Sequence, residues 1–204
     1  MSGVAYQYFQ TKHFLLNNMM GMAFCVQGME RISLGTVKNG TILLCGLFFY
    51  DIFWVFGTDV MVTVAKSFDA PIKLLFVKAF AEGDKKAEMS LLGLGDIVIP
   101  GIFIAMLLRF DAANAKVPEN APLGTPFPKP YFTAALLMYT LGLLATVGVM
   151  YFFEAAQPAL LYLVPACLLA SVGFATVRGQ FKTLWEFSEE EDEAEAADAS
   201  KKDN

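Results

Sequence analysis

Five stretches of mostly apolar residues, each close to twenty long, constrain this chain more than any other feature. A helix that spans a bilayer needs roughly 20 such residues, with a working range of about 17–25. The candidates are Phe14–Leu34, Thr41–Val64, Met89–Leu108, Tyr131–Phe153 and Ala159–Val177. The first is the most polar, with Asn17, Asn18, Gln27 and the pair Glu30–Arg31; the fourth carries no charge at all. Composition agrees: 56% of residues are hydrophobic and 17% charged. Soluble domains run near 45–50% apolar and about 25% charged. The expected fold is all-α, a polytopic membrane bundle of about five helices. Residues 1–187 form the membrane-embedded part and 188–204 an acidic, disordered tail. The first thirteen residues lack the apolar core of a signal peptide.

Charge is distributed unevenly. Residues 188–204 hold eight of the twenty acidic residues and two lysines, a net of −6, which leaves +1 for the other 187. The low isoelectric point therefore describes the tail. The body has no basic stripe, which argues against nucleic acid as a partner. His13 is the only histidine, which removes His-Glu-x-x-His zinc chemistry and disfavours a serine–histidine hydrolase. Cys25, Cys45 and Cys167 lie in apolar runs and read as small hydrophobes. No glycine-rich phosphate loop occurs, and no metal or cofactor is called for.

The connections differ in kind. Val37–Asn39–Gly40 reads as a turn. Ile72–Phe80 reads as a short interfacial helix before the charged tip Glu82–Lys86. Residues 112–130 hold five of the nine prolines and read as an extended linker. Five spans put the chain ends on opposite faces. The lysine and arginine balance barely orients them, but the ending Lys201–Lys202–Asp203–Asn204 has the form of a dilysine retrieval signal. Such a signal implies an endoplasmic reticulum membrane and a cytosolic C-terminus; two solubilising charges are the plain alternative.

The informative residues are Asp51, inside Phe48–Phe49–Tyr50–Asp51–Ile52–Phe53–Trp54, and Asp96, inside Leu91–Leu92–Gly93–Leu94–Gly95–Asp96–Ile97–Val98. An aspartate near the centre of a spanning helix costs about 2.5–3.5 kcal/mol on insertion scales. Such residues face a bundle interior and mark a functional path. Counting along two antiparallel helices puts both about 10–12 Å in from one membrane face, at 1.5 Å per residue. Facing carboxylates cannot both ionise easily and share a proton, the arrangement of an aspartic protease. Gly93 and Gly95 clear side chains beside Asp96, so that another helix or a substrate strand can approach. Pro100 lacks the N–H that would bond the Asp96 carbonyl. Tyr50 offers a hydroxyl. Pro158–Ala159–Leu160 reads first as a proline-marked helix start. Each feature has a plain structural reading: packing glycines, a packing aromatic, a lone buried hydrogen-bonding aspartate. Asp59, Asp69 and Asp111, at span ends, read as ordinary interfacial carboxylates.

Together, Tyr50–Asp51, Gly93–Leu94–Gly95–Asp96 and Pro158–Ala159–Leu160 resemble the three signature motifs of the intramembrane aspartyl proteases, a family that includes presenilins and signal peptide peptidases. The wider strings 50–74, 92–111 and 157–167 resemble the signal peptide peptidase branch, over roughly residues 12–187. That resemblance implies that Asp51 and Asp96 are the catalytic pair, with Tyr50, Gly93, Leu94, Gly95, Pro158, Ala159 and Leu160 as active-site neighbours. It implies no cofactor, a lipid bilayer as surroundings, and single membrane helices as substrates, chiefly remnant signal peptides. Self-association stays open. Members of the family have nine spans, so the resemblance covers their C-terminal half, from the fifth span onward. Two alternatives remain: a proton-coupled carrier using both aspartates as a relay, and a non-proteolytic scaffold that binds signal peptides.

Overall fold

The computed structural model of the chain describes residues 14–57, 73–79, 88–118, 125–153 and 158–189. In order these are α1 (Phe14–Arg31), α2 (Val37–Gly57), β1 (Lys73–Ala79), β2 (Glu88–Gly93), α3 (Gly95–Asn114), α4 (Pro130–Phe153), α5 (Leu160–Val177) and α6 (Phe181–Glu186). The architecture is an all-α bundle carrying one two-stranded hairpin. Among the described residues α2, α4 and α5 are long and apolar enough to cross a membrane. The helix α3 carries three charges, Asp96, Arg109 and Asp111.

Helix boundaries follow local chemistry. The helix α2 starts four residues before the expected Thr41. Thr36 Oγ1 accepts from the Asn39 N–H at 3.2 Å, an N-cap that turns the apparent turn signal Val37–Asn39–Gly40 into a first helical turn. The reversal instead falls at Gly35, whose φ of +72° suits glycine. The helix α5 widens into a π-turn at Leu169–Gly173, where Ser171 Oγ donates to the carbonyls of Cys167 and Leu168.

Two expectations fail around the hairpin. Ile72–Phe80 is not an interfacial helix: Lys73–Ala79 is a strand, antiparallel to Glu88–Gly93, in a register that pairs Leu74 with Leu92 and Phe76 with Ser90. A helix this short is marginal by itself, whereas strand pairing satisfies the backbone at once. The span expected at Met89–Leu108 is likewise part strand, and its helix begins only at Gly95. Each glycine in a helix interior costs about 1 kcal/mol relative to alanine, so Gly93 and Gly95 mark the change of structure.

The core lies where α2, α3, α4 and α5 meet. Val37, Leu44, Phe103, Leu107, Tyr131, Ala135, Leu160 and Val164 are among its buried members. Close approach of α4 and α5 depends on Gly142, where an added Cβ would lie 3.2 Å from the Tyr162 carbonyl oxygen. The chain stays packed against the bundle as far as residue 189. Leu184 and Phe187 are buried, Ser188 bridges to Thr36, and the Glu189 N–H donates to the Gly35 carbonyl at 2.8 Å. The rest of the tail, the tip Glu82–Lys86, Asp59 and Asp69 lie outside the described residues.

Candidate active site

Asp51 sits on the inward stripe of α2. The buried residues of that helix are Val37, Gly40, Leu44 and Asp51, at spacings of three, four and seven that keep them on one face. The Asp51 carboxylate is 8% exposed. Its Oδ2 accepts the Leu160 backbone N–H at 3.1 Å. Leu160 opens α5, and the first N–H groups of a helix have no partner within it. The buried segment Pro158–Ala159–Leu160 thus hands one backbone donor, the Leu160 N–H, to Asp51.

Asp96 is the second residue of α3, on a stripe continued by Pro100, Phe103, Leu107 and Phe110. Counting helical rise from Met89 therefore does not describe its depth, because the strand β2 leads up to it and α3 starts beside it. The helices that carry the two carboxylates nevertheless pack against each other, Gly40 of α2 lying on Phe103 and Met106 of α3. A Cβ on Gly93 would lie 3.3 Å from Asp96 Oδ2, so glycine there keeps the carboxylate uncrowded. At Gly95 the nearest contact would be Ile99 at 3.9 Å, ordinary packing. Leu94 accepts the N–H groups of Ile97 and Val98 and starts the helix. Pro100 leaves the Asp96 carbonyl without its usual N–H partner.

Tyr50 does not join this group. It is 57% exposed, and its ring lies 5.9 Å from Trp54 on the outer face of α2. One residue along a helix rotates a side chain by about 100°, so a neighbour of an inward aspartate points outward.

Three residues were underrated by sequence. Tyr139 is partly buried and packs against the core cluster from α4. Its signal was the stripe Tyr131, Ala135, Tyr139, Gly142, Thr146 on the uncharged helix α4. Asp111 is no ordinary interfacial carboxylate: it is 2% exposed and accepts the N–H groups of Tyr131 (3.3 Å) and Phe132 (2.8 Å), capping α4 from across the linker. Glu189 is 4% exposed and pairs with Arg109 at 2.7 Å. Neither partnership had a local signal, since the partners lie 20 to 80 residues apart. Among the described residues no three His, Cys, Asp or Glu side chains group as metal ligands.

Comparison with known proteins shows what the chain is similar to. The family described as signal peptide peptidase matches residues 1–191. The chain is 47% identical over 202 residues to intramembrane protease 2 of Caenorhabditis elegans, covering 95% of this chain and 43% of that protein. It is 46% identical to the signal peptide peptidase of Mus musculus, covering 99% and 51%, and 48% identical to that of Homo sapiens, covering 89% and 46%. The chain thus spans about half the length of these relatives.

Proposed function

The chain belongs to the signal peptide peptidase family, and on that premise we propose that it is an intramembrane aspartic endopeptidase whose catalytic pair is Asp51 and Asp96. The observation that carries this reading is the buried Asp51 carboxylate, held by the Leu160 N–H in an apolar bundle whose neighbouring helix α3 bears Asp96 in its first turn. Carboxylates inside a membrane bundle are costly, and such residues mark functional paths.

The chemistry follows from one shared proton. The ionised carboxylate takes a proton from water as the water oxygen attacks the peptide carbonyl carbon. The protonated carboxylate gives its proton to the carbonyl oxygen, forming a tetrahedral diol. That diol collapses as a proton passes to the amide nitrogen and the C–N bond breaks. A helical peptide bond is shielded, so the substrate must unwind. The strand β2 runs directly into Asp96, and among the described residues it pairs only with β1. Among the described residues its outer edge has no strand partner, so an extended substrate pairing there would hold the unwound segment in line with the carboxylates.

Substrates on this reading are single membrane helices, chiefly remnant signal peptides, met in the endoplasmic reticulum membrane with the C-terminus of this chain in the cytosol. Cleavage of a synthetic signal peptide in lipid nanodiscs tests it, with wild type beside Asp51→Ala and Asp96→Ala. Cleavage by wild type and loss in both variants is the expected result. Peptide that binds equally to all three and is cut by none would favour a scaffold and overturn the proposal.

A further inference from the structure

The described residues end in a cluster that the dyad chemistry does not use. Glu189 is nearly inaccessible, yet it lies 138 residues from Asp51 in sequence and outside every expected span. Its carboxylate accepts from Arg109 Nη1 at 2.7 Å, from the Gly35 N–H at 3.2 Å and from the Ser33 hydroxyl. Its own N–H donates to the Gly35 carbonyl at 2.8 Å, and Ser188 bridges to Thr36. An ionised carboxylate offers about four acceptor positions. Here three are filled by partners on two different elements.

One is α3, which carries Asp96; the other is the turn that opens α2, which carries Asp51. The turn 33–36 leads straight into α2, and Asp51 lies 14 residues beyond Val37, about 21 Å along a continuous helix. Arg109 lies 13 residues from Asp96 on α3, about 20 Å along that helix. Between the two levels the helices touch at Gly40, where an added Cβ would meet Phe103 at 2.9 Å and Met106 at 3.0 Å. The pair α2–α3 is therefore fastened at its base, packed tightly part-way, and bears the reacting groups at its far end. Because helices are stiff, a change at the base tilts one arm against the other.

We propose that Glu189 is a positioning residue: with Arg109, Ser33 and Gly35 it forms a clasp that fixes the Asp51 helix against the Asp96 helix and so sets the spacing of the catalytic pair. Its functional consequence rests on the protease reading above. The segment has other anchors that keep it in place when the carboxylate is removed. Leu184 is buried, and the Phe187 ring packs against Phe110 with centroids 5.2 Å apart. Loss of the clasp should thus disturb alignment more than folding. A misplacement of about 1 Å at reacting groups can cost on the order of 100-fold in rate.

The test uses Glu189→Ala, Glu189→Gln, Arg109→Ala and the double variant R109A/E189A in nanodiscs. Cleavage kinetics and melting are measured for each. Inter-helix distances are read by spin labels on F53C and I97C, with the native cysteines replaced by alanine. The expected result for Glu189→Ala is a kcat lowered by about 10- to 100-fold with KM within about 2-fold. Glu189→Gln should lose activity as Arg109→Ala does, since its amide oxygen still accepts from Gly35 and Ser33 but its NH2 group faces the Arg109 guanidinium and opens the link to α3. The double variant should lose no more than the worse single one, because both remove one clasp. The label distances should broaden whenever kcat falls. Unchanged kcat and distances in Glu189→Ala would overturn the proposal, as would losses that merely follow melting. If wild type does not cleave, the protease reading fails, and the distance distributions alone decide whether the clasp holds the helices.

Discussion

Gly142→Ala tests whether the seat of α5, and with it the Leu160 donor, depends on close helix packing. The added Cβ would lie 3.2 Å from the Tyr162 carbonyl oxygen, 3.3 Å from Ala166 Cβ and 3.4 Å from Leu163 Cδ2. Two of those three atoms are backbone or Cβ, so no rotamer change relieves the contact; α5 has to shift by a few tenths of an ångström. Alanine gains about 1 kcal/mol over glycine in a helix interior. Overpacking a close contact costs about 1–3 kcal/mol. The net expectation is a destabilisation of about 0–2 kcal/mol. Gly148→Ala on the same helix is the control, since a Cβ there has nothing within 4 Å and keeps the propensity gain alone. The difference between the two variants isolates packing and should be about 1–3 kcal/mol, with Gly142→Ala the less stable. Denaturant titration in mixed micelles, followed by far-ultraviolet circular dichroism, measures it. Equal stability of the two variants would refute the reasoning. Cleavage should fall in Gly142→Ala, because Tyr162 lies two residues beyond the Leu160 N–H that binds Asp51.

Other outcomes follow from the same contacts. Asp111→Ala removes the acceptor of two α4 N–H groups and should lower stability by about 1–2 kcal/mol by denaturant titration, while Asp111→Asn, which keeps one acceptor, should lose less. Ser33→Asp sets a like charge beside the buried Glu189 and should reduce kcat as Glu189→Ala does, whereas Ser33→Ala, which loses one donor, should act weakly. Proline at Ser90 or at Leu91 separates the two edges of β2, because successive N–H groups of a strand point to opposite sides. One of the two should weaken the hairpin and protein stability; the other should raise KM for an unwound substrate and leave the hairpin intact. Equal effects of both on KM and melting would count against substrate pairing along that edge.

Much of the fold was legible from short-range chemistry. The uncharged run Tyr131–Phe153 is α4 within one residue, Pro130–Phe153, and Ala159–Val177 is α5 within one residue, Leu160–Val177. Apolar length and the scarcity of charge are properties of consecutive residues. The same holds for the two embedded aspartates, whose cost in an apolar run is evident without any partner. Helix starts were less legible. The Asn–Gly pair at 39–40 reads as a turn, whereas Thr36, three residues before Asn39, caps α2.

What only the tertiary structure decided is which way each residue faces. In a membrane bundle the lipid-facing and core-facing sides of α2 and α4 are both apolar, so periodicity of hydrophobicity cannot tell them apart. Tyr50 and Asp51 adjoin in sequence and point to opposite environments. The strand β1 needed β2 as a partner, and Asp111 needed the start of α4 nineteen residues on. The clasp needed Ser33, Arg109 and Glu189, residues as far as 156 positions apart, brought to one point. The sequence by itself determined that the chain is an apolar helical bundle with two carboxylates set in its apolar runs, because transfer cost is set residue by residue. Their mutual placement depends on long-range hydrogen bonds and packing, which exist only once the helices have assembled.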